Sequence, residues 1–194
     1  MDFKEQFIEI VNNNIKRDGI DKLLDWLEKT DFFSAPASSK FHNNFEGGLC
    51  EHCINTYNRF IKLLQQEYGE NWTDTISLES ATIIALFHDL CKVDYYKIDY
   101  RNVKVNNEWI QKPYFSVEDN LPYGHGEKSV YIINGFIRLT REEAMAINWH
   151  MGGYDARVKG GSYSIADAFY KFPTSLLFHV ADLQATYLDE KTCN

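Results

Sequence analysis

Apolar residues recur at helical spacing along most of the chain, beginning with two stripes near the N-terminus. The first stripe contains Phe3, Phe7, Ile10, Val11 and Ile15, and the second contains Ile20, Leu23, Leu24 and Leu27. Apolar positions three and four residues apart line one face of an α-helix, and that face packs against a core. The pattern predicts two N-terminal helices separated at Asp18 and Gly19, with residues 1–40 packing on the rest of the chain.

Two further helices are predicted in the centre of the chain, and each carries a histidine. An irregular stretch from Asp31 to Gly48, which we interpret as an ordered loop, precedes a third apolar stripe from Leu49 to Gly69. His52 lies near the start of that stripe. The next helix is predicted to begin after Ser77, a typical N-cap residue. Its inward positions are Ala81, Ile84, Ala85 and His88.

The second half of the chain interrupts the helical pattern once. The β-prone runs YKIDYRNVKV and EWIQKPYF, within about residues 95–115, are joined at Asn106 and Asn107 and predict a β-hairpin. Helices resume near His125, after Thr140 with a capping box, and from Pro173. Between the last two, MGGYDARVKGGSY is interpreted as a glycine-rich loop. The predicted fold class is all-α, a helical bundle with one inserted hairpin.

Composition narrows the class of protein. The chain has 194 residues, 44% of them hydrophobic, which is enough for one domain with its own core. A net charge of −8, from 20 basic and 28 acidic residues, disfavours extended nucleic acid and favours a small phosphorylated ligand in a locally positive pocket. No signal peptide or membrane span is evident, so we expect a soluble, cytoplasmic protein with reduced cysteines. The oligomeric state is left open.

Histidine and aspartate are the residues that suggest chemistry. Divalent cations used in phosphate reactions are bound by carboxylates and neutral imidazoles that converge from several elements. Such residues occur on or beside successive predicted helices, at His52, His88, Asp89, His125, His150 and Asp182. An unpaired carboxylate in the apolar run IIALFHDLCK would cost several kcal/mol, and a metal removes that cost. The alternative is that Asp89 is a surface carboxylate at a helix end and His88 a hydrogen-bonded core histidine.

Five sequence blocks, in order, resemble the motifs of HD-domain phosphohydrolases. They are FHNNFEGGLCEH, ALFHDLCK, GHGEKS, NWHMGG and HVADL, and the first two are similar to that family's GGLLEH and HDxGK patterns. The resemblance spans roughly Phe41 to Leu188, about three quarters of the chain. It implies a single HD-like domain over residues 1–194, in which residues 41–189 carry the motifs.

The resemblance also implies a metal site and an activity. In that family one ion is held by the positions that match His52, His88, Asp89 and Asp182. Two further histidines, matched by His125 and His150, imply a second ion with Asp89 between the two. The cofactor would be a divalent transition metal, one or two ions per chain, of Mn, Fe, Zn, Co or Ni, with Mg also allowed. The expected activity is hydrolysis of a small phosphate ester, a nucleotide or related metabolite, by metal-activated water; monoesterase and diesterase are both open.

Further residues are assigned to the reaction or to the substrate. Asp89 and Lys92 are the predicted catalytic residues, because Lys92 matches the lysine of HDxGK and could neutralise developing phosphate charge. The predicted substrate-binding residues are Lys128, Ser129, Arg101, Arg157, Lys159 and His42. For each of the basic residues the alternative is a solvated surface charge. The pattern departs from the family at Cys91, where glycine is common.

Three points stay open at this level. His179 could be a ligand, since it precedes Asp182 by three residues, or it could pack or hydrogen-bond a ligand. The CxxC pair of Cys50 and Cys53 has no second CxxC and is interpreted as packing. Two other functions compete with hydrolysis. A di-iron oxygenase of HD fold would consume oxygen with bound iron, and a nucleotide-binding regulator would carry a vestigial site.

Overall fold

A computed structural model describes residues 2–190 and, within that range, contains nine α-helices and one antiparallel hairpin. The helices are α1 (Phe3–Asn14), α2 (Ile20–Leu27), α3 (Gly48–Tyr68), α4 (Leu78–Phe87), α5 (His125–Asn134), α6 (Arg141–Trp149), α7 (Ala156–Lys159), α8 (Ser164–Lys171) and α9 (Pro173–Gln184). The strands are β1 (Tyr96–Val105) and β2 (Glu108–Val117). The prediction of a mainly helical protein with one inserted hairpin is confirmed.

Three predicted helix starts are confirmed, two of them by capping hydrogen bonds. Ser77 Oγ accepts the backbone N–H of Ser80 at 3.1 Å, which satisfies one of the free N–H groups at the start of α4. Thr140 and Glu143 form the capping box that begins α6. Pro173 is the first residue of α9. Each of these signals depends on neighbours within three residues, so the sequence alone specifies where the helices begin.

Helix α3 lies at the centre of the bundle and packs against α4 and α9, while α6 contacts α4, α5 and α9. The N-terminal helix α1 packs on α3 and α4 through the fully buried ring of Phe7. That ring meets Phe32 and Phe87 edge to face, with centroids 5.1 and 5.8 Å apart. Burial of such a ring contributes about 1.5–3 kcal/mol.

The hairpin forms where the sequence predicts it and extends two residues beyond the expected end. Tyr96 pairs with Val117, and the turn residues Asn106 and Asn107 have φ of +48° and +71°. Asparagine tolerates this left-handed conformation, and two such residues in succession match the twist of a two-residue hairpin turn. Most of the hairpin is exposed, apart from its base near Tyr96 and Phe115.

The segment predicted as a glycine-rich loop contains more helix than expected. Residues 152–154 form a 3-10 turn, and α7 is a single turn capped by Asp155, whose carboxylate accepts the N–H of Arg157 at 2.8 Å. Helix α8 was not predicted at all. With only eight residues it has a weak local signal, and packing against α9 stabilises it.

Within residues 2–190, no helix is long and apolar enough to cross a membrane. Cys50, Cys53 and Cys91 are buried and free. The burial of Cys50 and Cys53 agrees with a packing role for the CxxC pair. Cys193 lies outside the described residues.

Candidate metal centre

Two histidines reach the site in the same way, from the C-terminal end of a helix. His88 follows α4 and donates its Nδ1–H to the carbonyl of Ala85 at 2.9 Å. His150 follows α6 and donates to the carbonyl of Ile147 at 2.6 Å. A carbonyl oxygen only accepts, so Nδ1 carries the proton in both rings. Each Nε2 lone pair then faces the interior, as in a histidine that binds a metal.

Asp89 lies between two pairs of histidines. Its Oδ2 is 3.5 Å from the Nε2 of His52 and 3.5 Å from that of His88. Its Oδ1 is 2.9 Å from His125 Nε2 and 3.6 Å from His150 Nε2. The chain leaves the helix at Asp89, with φ −104° and ψ 19°, and this change of direction turns the carboxylate toward both pairs.

His52 lies among more hydrogen-bond acceptors than its imidazole can satisfy with one N–H group. It lies in the first turns of α3, with Nε2 3.2 Å from His88 Nε2 and 3.3 Å from Asp182 Oδ1 on α9. Its Nδ1–H donates to Glu190 Oε1 at 2.9 Å. The Nε2 lone pairs of His52 and His88 and the carboxylates of Asp89 and Asp182 therefore converge in a buried volume. Either a proton or a cation is required between them.

The pKa shifts show how a metal-free chain meets that requirement. Burial opposes protonation of His52, but the carboxylates of Glu190 and Asp182 outweigh it and raise the pKa of His52 to about 10. Burial lowers the pKa of His88 to about 3, so His88 stays neutral. Burial also disfavours the charged form of Asp182, yet His52 holds the pKa of that carboxyl well below its usual range. A proton on His52 thus occupies the position that a cation would take.

His125 reaches the site because α5 closely approaches the end of α6. A Cβ on Gly126 would lie 2.4 Å from the carbonyl oxygen of Asn148, so glycine is required at this contact. His125 is the first residue of α5 and the most exposed of the six predicted ligands, at 30% of its side chain. Asp182 is 14% exposed, whereas His52, His88, Asp89 and His150 are at most 2% exposed. His125 and Asp182 are therefore the most accessible of the six side chains.

Lys92 is buried beside the cluster. It lies in the 3-10 turn Leu90–Lys92, and its Nζ donates to Asp89 Oδ2 at 2.7 Å. Burial disfavours the ammonium, but the Asp89 carboxylate outweighs that effect and raises the pKa of Lys92. For Asp89, burial opposes ionisation, whereas Lys92 and the nearby histidines hold its pKa well below the usual range. Both groups are charged, and they are packed together.

Three of the six predicted substrate-binding residues, His42, Ser129 and Lys128, each make a different kind of contact. His42 lies next to His52, with ring centroids 5.0 Å apart, and burial lowers its pKa to about 4. Ser129 Oγ accepts the N–H of Cys91 at 3.0 Å and so supports the turn after Asp89. Lys128 is buried and donates to Asp119 at 2.6 Å.

The remaining three basic residues make contacts outside the cluster. Arg101 lies over the ring of Tyr114 on the hairpin, and Lys159 over the ring of Tyr154. Arg157 donates to Asp155, Glu127 and Asn148. Their proposed roles in substrate binding stay predictions.

His179 is held by the backbone of a candidate ligand. Its Nδ1–H donates to the carbonyl of His150 at 2.6 Å, and its ring stacks on Phe169. A Cβ on Gly152, where φ is +54°, would lie 2.2 Å from the His179 ring. This contact corresponds to the alternative in which His179 hydrogen-bonds a ligand residue.

Glu190 is the residue at this site that sequence reasoning missed. It follows a π-helical turn, Ala185–Asp189, and is 138 residues from His52 along the chain. Arg59 on α3 pairs with Asp189, and Asn55 Nδ2 lies 3.4 Å from Glu190 Oε1. The segment LDE carries no local motif that would reveal this role.

The donor set fits a metal. Groups of three donor residues with ligand atoms within 4.8 Å of one another are His52–His88–Asp89 and Asp89–His125–His150, which share Asp89. A third group is His42–His52–Glu190. The buried Nε2 of His150 has no hydrogen-bond partner within residues 2–190, as expected for an atom that completes its interactions with a cation. These His and Asp side chains could therefore hold a metal ion.

Comparison with known proteins does not show a family for the chain, so the class of protein is defined by its fold and its site. No protein-family model, curated protein or solved structure matches the chain. Fold and site together define a mainly helical protein with a buried His/Asp cluster, compatible with an HD-type centre and able to bind metal.

Proposed function

We propose that the chain is an HD-type, metal-dependent phosphohydrolase that cleaves a small phosphate ester. One observation carries the proposal. The two oxygens of Asp89 face different histidine pairs, Oδ2 toward His52 and His88, and Oδ1 toward His125 and His150. This is the arrangement expected of a carboxylate between two ions, and the order of the five sequence blocks agrees with it.

The six side chains would hold up to two divalent ions, with Asp89 shared. Ions bound there would lower the pKa of water to near 7 and neutralise phosphate charge, which is the chemistry a phosphate ester needs for hydrolysis. The chain contributes ligand orientation: hydrogen bonds to Ala85, Ile147 and Glu190 fix the Nε2 atoms of His88, His150 and His52 toward the centre.

Lys92 supplies a positive charge that is independent of any metal. Its ammonium has three N–H donors, so it can hold Asp89 and still donate to a phosphate oxygen. Because Lys92 is buried, that charge is weakly screened and stabilises developing negative charge more strongly than a solvated lysine would. The substrate would approach where the cluster is most accessible, at His125 or at Asp182.

The test is a phosphate-release screen on chelator-treated protein reloaded with Mn, Fe, Zn, Co or Ni. Nucleoside monophosphates, cyclic nucleotides and generic phosphate esters are the substrates. We expect metal-dependent turnover that Asp89→Ala abolishes together with most metal binding. Lys92→Ala should keep its metal and lose roughly a hundredfold to a thousandfold in kcat, because one charge-stabilising donor is removed. Asp74→Ala, at an exposed position, is the matched control.

Full turnover of Asp89→Ala would show that the reaction occurs elsewhere. Absence of phosphate release with every metal and ester would overturn the proposal. If iron-loaded protein instead consumed oxygen with an organic substrate, the same ligands would belong to a di-iron oxygenase.

A further inference from the structure

Cys91 lies against the Asp89–His125–His150 side of the cluster. Its Sγ is 3.4 Å from each ring nitrogen of His125 and 3.9 Å from Asp89 Oδ1. The side chain is buried, and its backbone N–H donates to Ser129 Oγ on α5, which fixes the turn that carries it. The sulfur is thus part of the wall of the candidate site.

Four distances on this side of Asp89, two of them to the sulfur of Cys91, suit ligands of one ion. Nitrogen and oxygen bind a zinc-sized ion at about 2.0–2.2 Å and sulfur at about 2.3 Å. At bond angles near 90–120°, two such donors lie roughly 2.9–3.6 Å apart, or roughly 3.1–3.9 Å when one is sulfur. Oδ1 of Asp89 lies 2.9 Å from His125 Nε2 and 3.6 Å from His150 Nε2. The two sulfur distances, 3.4 and 3.9 Å, fall in the second range.

The unpartnered nitrogen of His150 also points to a cation on this side of Asp89. His150 Nε2 is buried and, among the residues described, lacks a hydrogen-bond partner, although it faces Asp89. Its Nδ1–H is already used by Ile147, so the free atom is a lone-pair donor. A buried lone pair without a partner is costly, and a bound cation satisfies it.

From this geometry we infer that Cys91 is a sulfur ligand of the ion held by Asp89, His125 and His150. The site is then of N/O/S type and selects a borderline-soft cation such as Zn, Fe, Co or Ni over Mg or Mn, because thiolate binds softer metals. When the sulfur binds, its S–H bond breaks, the proton passes to solvent, and the sulfur lone pair forms the bond to the cation. No oxidation state changes. The inference rests on the metal centre of the proposed function and specifies its ion.

Spectroscopy of the cobalt form tests the sulfur ligand directly. Chelator-treated protein loaded with Co²⁺ should show a thiolate-to-cobalt charge-transfer band in the near ultraviolet. Cys91→Ala should lose that band, and Cys50→Ala, which removes another buried thiol, should keep it. Zinc affinity of Cys91→Ala should fall about tenfold or more, with manganese affinity changed less than about threefold. Zinc X-ray absorption of the unaltered protein should show one sulfur neighbour per chain at about 2.3 Å.

The inference is overturned if the unaltered protein binds cobalt without the band, if the band survives in Cys91→Ala, or if zinc has no sulfur neighbour. The X-ray measurement does not depend on how well a variant folds. Phosphate release, measured on the same samples, separates the two proposals. Release without a sulfur signal overturns the sulfur ligand alone, and a sulfur signal without any release overturns the hydrolase.

Discussion

The carboxylate of Glu190 determines how His52 presents its nitrogens. Because Glu190 accepts the Nδ1–H of His52, the imidazole is fixed with Nε2 toward His88 and Asp182. Carboxylates that orient a histidine in this way also increase its basicity as a ligand. Glu190 is therefore a positioning residue for an ion held by His52, His88 and Asp89.

We predict that Glu190→Ala weakens binding of the ion at His52 by about tenfold to a hundredfold, the usual cost of losing such a partner. Titration of metal-free protein with zinc and a competing chelator measures this. Glu9→Ala removes the same charge from an exposed position on α1 and should leave the affinity unchanged. Equal zinc affinity in Glu190→Ala and the parent would mean that Glu190 only fills space beside His52.

At the scale of elements, one arginine joins the N-terminal helices to the rest of the bundle. Arg17, between α1 and α2, donates to both carboxylate oxygens of Glu143 on α6, at 2.6 and 2.9 Å, and to Glu79 on α4 at 3.1 Å. Glu143 is fully buried and also forms the capping box of α6. The helix that carries His150 is thereby anchored at its other end.

We expect Arg17→Ala to lower the free energy of unfolding by roughly 2–4 kcal/mol. Loss of one partner from a buried pair costs about 3–5 kcal/mol, and the partial exposure of Arg17 reduces that figure. Urea denaturation measures the change. Lys4→Ala, which breaks an exposed pair with Glu28, should cost less than about 1 kcal/mol. A similar, small loss in both variants would contradict an anchoring role.

At the scale of the whole molecule, the cluster makes stability depend on pH. An unperturbed histidine titrates near pH 6.5. The pKa of His52 in the folded chain is about 10, so its stabilisation is complete below about pH 6.5 and is lost as pH rises through 10. The pKa of His88 is about 3 because of burial, so the unfolded state gains protons and stability as pH falls below about 6.5.

The metal-free protein should therefore be most stable near pH 6.5, with stability decreasing toward pH 9.5 and toward pH 5. Thermal denaturation across that range, after chelation, measures the profile. Zinc should raise the melting temperature most on the alkaline side, where fewer protons compete for His52. His52→Ala should flatten the alkaline decrease. If the parent shows no decrease between pH 6.5 and 9.5, His52 does not keep its proton in the folded chain over that range.

The sequence alone determined the features that depend on near neighbours. Ser77 and Thr140 precede helices because their side chains cap N–H groups within one turn, and Pro173 begins α9 because its fixed φ suits the first helical position. The turn at Asn106 and Asn107 depends on two backbone conformations. The six candidate ligands were also proposed from the sequence, through the resemblance of five motifs to those of HD-domain phosphohydrolases and the cost of burying an unpaired Asp89 in an apolar run. Helix α8 was missed because its local signal is weak.

Only the tertiary structure decided how those residues face one another. The two oxygens of Asp89 are equivalent in the sequence, and the chain path assigns each to a different histidine pair. Glu190 meets His52 across 138 residues, and Cys91 meets His125 where the turn after Asp89 packs on α5. Such contacts depend on the packing of whole helices, and residue spacing along a chain does not fix the distance between residues on different helices.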